Sequence, residues 1–347
     1  MFLHCYMIYF FKMNNLLKIL FLVPLFVSCT SSQEEVPMKE EEQSTIGFAA
    51  KVQNSRAIAT LTDVQNGFGV WAFITNSEKT NEPYMENLKV EYKGSKWDYG
   101  NPKYWLVDTK FSFVATYPYD EDGDIYTSST GDVQLTLSNT PSDEDYLVAR
   151  NAINTSDEEF DPSESVQLQF KHLLSNVSLN VWRDGAKHQN DQMRVLKVTL
   201  SNIRKAGTYS SVTDTWATTN EKLTMEYIND NVSDSDNIGA ATKTDNSLNL
   251  GGVASTPFSG MMLLPQTIDT SSNSVSLKIE YELKRQNAAD WENAELETVL
   301  PAITWEKGLR YVYNVVLSSV TDITVYYIQT KVDPWGTPQV GGTVIIK

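Results

Sequence analysis

The stretch that most restricts the fold is Val166–Trp182, VQLQFKHLLSNVSLNVW. Val166, Leu168 and Phe170 alternate with Gln167, Gln169 and Lys171, and after His172–Asn176 the alternation resumes at Val177, Leu179 and Val181. A period of two sends successive side chains to opposite faces of an extended chain, so each run offers one face to a core and one to solvent. Two such runs around a short connector predict a hairpin. It is expected to open a second domain, with Leu168, Phe170 and Leu179 pointing into that domain's core.

Strand patterns recur on both sides of this stretch. Upstream they fall at Ile46–Ala50, Phe68–Phe73, Leu88–Tyr92, Phe111–Tyr117 and Val133–Leu137, with Tyr146–Arg150 as a last short strand. Downstream they fall at Met193–Leu200, Met261–Leu264, Val275–Tyr281, Tyr311–Leu317 and Ile323–Ile328. Short strands separated by Gly, Pro, Asn and Asp turns predict an all-β fold built of sandwiches. The 11% aromatic content, concentrated in these runs, suits strands. No segment carries a helical period of useful length; Ala288–Glu297 is the one short helix candidate, and an irregular hairpin loop is the preferred reading of it. Asn229–Asn249, rich in Asp, Asn, Ser and Thr, reads as an exposed insertion. A chain of 347 residues has room for two cores. The acidic, Pro162-containing run Thr155–Ser165 is expected to link them, dividing the chain into residues 46–150, a linker over 151–165, and residues 166–347.

The N-terminus reads as a targeting segment over residues 1–28, although the apolar MFLHCYMIYFF at its start is atypical and leaves Met7 and Met13 as alternative starts. Lys12 and Lys18 precede the apolar run Ile19–Val27, which closes in Ser28-Cys29. A small residue directly before a cysteine at the end of such a run is the pattern of a bacterial lipoprotein signal, which makes Cys29 the expected lipidation site. The competing readings are a plain secretory signal with a chance cysteine and a membrane anchor; the apolar core is well short of the roughly 20 residues a spanning helix needs. The acidic segment that follows, through residue 45, has no periodicity and is expected to be a tether.

Charge and composition exclude several classes of function. With 28 basic residues against 44 acidic ones, a net charge of −16, the chain is no nucleic-acid binder. Three histidines and two cysteines supply neither a metal cluster nor a disulfide framework. No phosphate loop, dinucleotide fingerprint or nucleophile motif is present, so no catalytic residue, metal or cofactor is assigned. The loop Tyr119–Asp124, YDEDGD, concentrates carboxylates beside a glycine but lacks the spacing of a calcium loop; a solvated turn is the expected reading. Trp97, Tyr99, Tyr104 and Trp105 are read as plugging a sandwich end, with a sugar-stacking surface as the alternative. The β-prone tail Gly341–Lys347 reads either as an ordinary edge strand or as a strand that exchanges with a partner.

The order FGVWAF (Phe68–Phe73), WDYGNPKYW (Trp97–Trp105) and FSFVATYP (Phe111–Pro118) resembles the N-terminal half of the fimbrillin-like lipoproteins of Bacteroides-type bacteria. Val166–Val181, MMLLPQ (Met261–Gln266) and WEKGLRYVYNVVL (Trp305–Leu317) resemble the C-terminal half in the same order. The resemblance implies two tandem transthyretin-like domains, that is, immunoglobulin-like Greek-key β-sandwiches. It also implies a non-enzymatic surface subunit of a type V pilus-like fimbrium, or an adhesin. The partners implied are other fimbrial subunits or ligands on host or bacterial surfaces, together with the outer membrane reached through the N-terminal acyl group. Gln33-Glu34-Glu35 resembles the segment that routes such lipoproteins to the cell exterior. Some subunits of the family are held as lipidated precursors until a protease cuts after a basic residue near the first strand, removing that strand and opening a groove. Arg56 is the only arginine between Cys29 and Arg150, which makes it the candidate maturation cleavage site, the alternative being a solvent-facing arginine in a protein that keeps its lipid anchor. The alternative function is a lipid-anchored, glycan-binding accessory module.

Overall fold

The computed structural model describes residues 44–52, 60–244, 247–319, 322–331 and 344–346. The first half supplies β1 (Phe48–Val52), a short helix α1 (Leu61–Gln65), β2 (Phe68–Thr75), β3 (Glu82–Tyr92) and β4 (Trp97–Asp98). These are followed by β5 (Lys110–Tyr117), β6 (Tyr126–Ser129), β7 (Asp132–Leu137), β8 (Leu147–Asn154) and β9 (Val166–His172). The second half continues with β10 (Ser175–Asp184), β11 (Gln192–Arg204), β12 (Gly207–Ser210), β13 (Thr215–Thr218) and β14 (Lys222–Ile228). Next come β15 (Ala240–Thr244), β16 (Ser247–Gly251), β17 (Ser255–Leu263), β18 (Gln266–Ile268) and β19 (Ser276–Lys284). The described strands end with β20 (Glu292–Val299), β21 (Ile303–Trp305), β22 (Leu309–Ser319), β23 (Asp322–Lys331) and β24 (Val344–Ile346).

The first sheet runs β1-β9-β8-β5-β2-β3-β4. Strand β2 is buried on both faces, which is why FGVWAF reads as an almost unbroken apolar run. Phe68, Val70, Ala72 and Ile74 enter one core with Phe111, Phe113 and Trp105, while Trp71 and Phe73 enter another on the far side. Gly69 sits against the Asn87 side chain of β3: a Cβ there would clash with Asn87 Oδ1, so a larger residue requires that side chain to move.

In the second half, β16-β15-β10-β22-β23-β24 forms one sheet, with β17 also laddered to β10. A four-stranded sheet, β14-β11-β19-β20, supplies the other inward side chains of that half. Leu179, Val195, Ile279, Tyr281, Trp305 and Tyr313 meet in its core. As the alternation indicates, Tyr311, Tyr313, Val315 and Leu317 all face this core.

The predicted hairpin at Val166–Trp182 is corrected by the ladders. Strand β9 pairs with β1 and β8, whereas β10 pairs with β15, β17 and β22, so the segment crosses between sheets instead of folding back on itself. Leu168 and Phe170 therefore belong to the first core and Leu179 to the second. Sheet membership changes at Leu173-Leu174, downstream of the acidic run, and β8 extends through Asn154 into the range 151–165 expected as the linker. Leu173 and Leu174 are buried in a third core with Trp71, Tyr126, Leu135, Tyr209 and Met262, drawn from both halves. Above it lies the sheet β13-β12-β7-β6, in which β7 and β12 pair across the two halves from Gly207↔Leu137 to Ser210↔Gln134.

Two further expectations are corrected: most of Ala288–Glu297, read as an irregular hairpin loop, belongs to strand β20, and the polar insertion contains strands. The polar stretch 229–249 contains β15 and the start of β16, and its Ile238 and Ala241 are buried. The short helix α1 has no amphipathic period to reveal it; Thr60 caps it, with its hydroxyl accepting from Asp63 N and the Asp63 carboxylate accepting from Thr60 N.

Candidate functional site

Strand β1 is the edge of the first sheet, laddered to β9 alone in parallel register from Phe48↔Val166 to Val52↔Phe170. Alternation in β1 and the residues before it turns Ile46, Phe48 and Ala50 inward, all buried. The Phe48 ring meets Tyr99 and Phe113 edge-on, with centroids 5.5 and 6.0 Å away. Main-chain and phenol contacts hold the approach to β1: Val166 N donates to Gly47 O at 2.8 Å and Ile46 N to Lys103 O at 2.8 Å. Tyr99 Oη donates to Ile46 O at 2.6 Å. One short strand thus adds Phe48 and Ala50, with Ile46 just before it, to the core beside Val166, Leu168 and Phe170 of β9. Taking it away would open a trough in that core and leave an unpaired strand edge on β9.

Cys29 and Arg56 lie outside the described residues. By sequence, Arg56 falls between Val52, the end of β1, and Thr60, where description resumes. At the other terminus, β24 pairs antiparallel with β23 as the edge of its sheet, in the register Val325↔Ile346, Tyr326↔Ile345 and Tyr327↔Val344.

The aromatic cluster packs inward. Trp97 meets Phe68 at 5.3 Å and Trp105 meets Phe111 at 5.1 Å, both edge-on. Of the four rings singled out in the sequence, only Tyr104 is exposed, so they do not form a sugar-stacking row. The acidic loop is organised by Asp120, whose buried carboxylate accepts four backbone amides: Gly123 and Asp124 on Oδ1, Ile125 and Tyr126 on Oδ2. That carboxylate is committed to shaping the loop, and among the described residues no group of His, Cys, Asp and Glu is arranged to hold a metal ion. His172 is buried with Nδ1 2.8 Å from Asp145 Oδ2. His188 is also buried, with Nδ1 2.8 Å from Asp191 Oδ2 and Nε2 3.0 Å from Ser318 O. Both imidazoles bind structural partners.

The alternation of the strands did not disclose a polar knot at the junction. Asp214, in the turn between β12 and β13, accepts from Tyr209 Oη at 2.7 Å and pairs with Lys307 Nζ; Arg150 Nη2 of β8 lies 3.3 Å away. Lys307 Nζ also donates to Asp214 O at 2.7 Å. Burial works to raise the Asp214 carboxyl, but the hydrogen bonds from Lys307 and Tyr209 and the two cationic charges outweigh it and hold the group below the usual range. Burial, together with the bond to Asp214, pushes the Tyr209 phenol far above the ordinary tyrosine value. The knot connects β8, the bridging sheet and the turn before β22.

Known proteins show the same architecture and a shared ancestry. The chain is 24% identical over 226 residues to a protein of Bacteroides uniformis described as a candidate fimbrium subunit, Fim1C, covering 62% of this chain and 71% of that one. It is 29% identical over 126 residues to the fimbrium subunit Fim1C of Phocaeicola vulgatus, spanning 33% of this chain and 32% of its relative. The fold is similar to the crystal structure of a fimbrial protein from Bacteroides vulgatus, with a TM-score of 0.58 at 18% identity over 83% of this chain and 99% of that one. The model of the fimbrillin-like family matches residues 55–335, and the chain belongs to that family.

Proposed function

We propose that this non-enzymatic fimbrial or adhesin subunit joins its partners by giving up β1 and accepting a strand from a neighbouring subunit in its place. The observation that carries the reading is the position of β1: an edge strand, laddered on one side only, whose Phe48 and Ala50, with Ile46 just before them, close the first core. A strand buried on both sides could not leave without dismantling its sheet. An edge strand can, and the trough it vacates offers a donor both ladder hydrogen bonds and alternate apolar pockets. Cleavage after Arg56 separates β1 from the rest of the chain. The β-prone segment at β24, on the edge of the other sheet, is the donor of corresponding chemistry in the next copy.

The precursor is exported as a lipoprotein acylated on Cys29 and displayed at the outer membrane, with the acidic tether holding the folded part clear of the bilayer. One acyl chain binds a membrane marginally, so a stable hold needs a second. The folded part consists of two transthyretin-like sandwiches that meet at Leu173-Leu174 and share the bridging sheet. N-terminal sequencing of surface-released protein tests the reading. A mature terminus at Ala57 is expected, and Cys29 as the sole terminus of assembled material would refute it.

A further inference from the structure

A groove of about 540 Å³ opens beside the first sheet, under the loop that joins β8 to β9. That volume falls within the roughly 300–1,000 Å³ of ordinary ligand sites. Asp157, Glu158, Glu159, Asp161 and Glu164 line it, with no lysine or arginine among the lining residues. Aromatic rings back these carboxylates: Trp105 and Phe160 both line the groove and meet edge-on at 5.1 Å.

Two observations separate this place from an ordinary solvated acidic loop. Trp105 is only 7% exposed, and its indole N–H is buried without an acceptor among the described residues. A buried donor of this kind is unfavourable until something accepts from it. The second is in the backbone. The β8–β9 ladder covers only Leu147↔His172 and Val148↔Lys171, although β8 runs on to Asn154 and β9 starts at Val166. Beyond the ladder, Asn151 Nδ2 donates to Gln167 O at 2.8 Å, and Asn151, Asn154 and Gln167 line the groove.

We infer that this groove binds an extended segment of a partner protein that presents a lysine or arginine side chain. The carboxylates take the cationic head, the Phe160 and Trp105 rings take the aliphatic stem, and a main-chain carbonyl of the segment accepts from the Trp105 indole. The unladdered backbone of β8 offers further pairing to such a segment. A bare metal ion fits poorly, because none of the described acidic groups converge as ligands and an N–H donor repels a cation. This site adjoins the β1–β9 ladder through Ser165 and Gln167, but the proposal requires no strand exchange.

The test is titration of the uncleaved chain, with β1 in place, with acetyl-trilysine amide at low salt, following indole N–H resonances, with the Trp105 signal assigned by Trp105→Phe. Saturable movement of the Trp105 signal is expected, absent with the side-chain-acetylated peptide. Glu158→Gln/Glu159→Gln/Glu164→Gln, all at exposed positions, should weaken binding about tenfold. Removing the same charge at Glu121, Asp122 and Asp124 should change it less than about twofold. An unmoved Trp105 signal would overturn the proposal. So would equal weakening by both triple variants, which would mark diffuse attraction to the net charge. Calcium chloride moving that signal and displacing the peptide would make the groove a cation site instead.

Discussion

Phe48 lies opposite Val166 in the parallel pairing of β1 and β9, and both side chains are buried in the same core. The edge strand is therefore part of the core's closure. Phe48→Ala should cost about 3–5 kcal/mol in urea unfolding of the intact chain. Lys51→Ala, on the exposed face of the same strand, should stay within about 0.5 kcal/mol. Similar midpoints for the two variants would show that β1 contributes nothing to stability.

Because β9 belongs to the first sheet, truncation decides between sheet arrangements. A fragment ending at Arg150 lacks Val166, Leu168 and Phe170, each at most 1% exposed in the full chain. Fully burying such side chains stabilises by about 1.5–3 kcal/mol each, against a total of roughly 5–15 kcal/mol for a domain. The fragment should show no cooperative melt in calorimetry. A sharp transition would place the first core's closure elsewhere.

Asp120 should be sensitive to small changes. Asp120→Ala strands four backbone amides and should destabilise by about 1–3 kcal/mol, measured as a shift in the denaturation midpoint. Addition of calcium should leave the melting temperature of the unmodified protein unchanged.

The Asp214 knot gives a pH dependence with a definite sign. Its carboxyl is depressed in the folded protein, so its contribution is present above the unfolded value near 3.8 and is lost as pH falls through the lower folded value. Melting temperature followed from pH 7 down to pH 3 should fall less steeply for Asp214→Asn than for the unmodified chain. The variant should also be the less stable of the two at pH 7. An unchanged acid limb would show that Lys307, Tyr209 and Arg150 do not hold the group ionised.

The sequence announced faces more readily than partners. Alternation placed Tyr311, Tyr313, Val315 and Leu317 on one side of a strand, and that is where they are buried, because period two is a local property of an extended chain. The same alternation at Leu168 and Leu179 carries no information about which sheet each strand joins, since pairing is set by contacts distant in sequence. Strands β15 and β16 escaped notice because a hairpin held by main-chain hydrogen bonds needs few apolar side chains. Asp120 was visible as an acid in an acidic loop, but only the folded backbone shows that its neighbours' amides turn toward it. For β1, the inward Phe48 and Ala50 were legible, while its place at an edge required the parallel ladder to β9.

That edge position is tested most directly by locking it. Lys51 and Gln169 lie opposite each other in the β1–β9 register. Neighbouring strands lie about 4.8 Å apart, within the span of a disulfide, so with both replaced by cysteine an oxidised pair would tether β1 in place even after the chain is cut at Arg56. Polymer formed by the cells should be absent for the oxidised double variant and restored by reduction, with each single cysteine variant assembling normally. Polymer containing the intact Lys51→Cys/Gln169→Cys disulfide at normal yield would contradict assembly by replacement of β1.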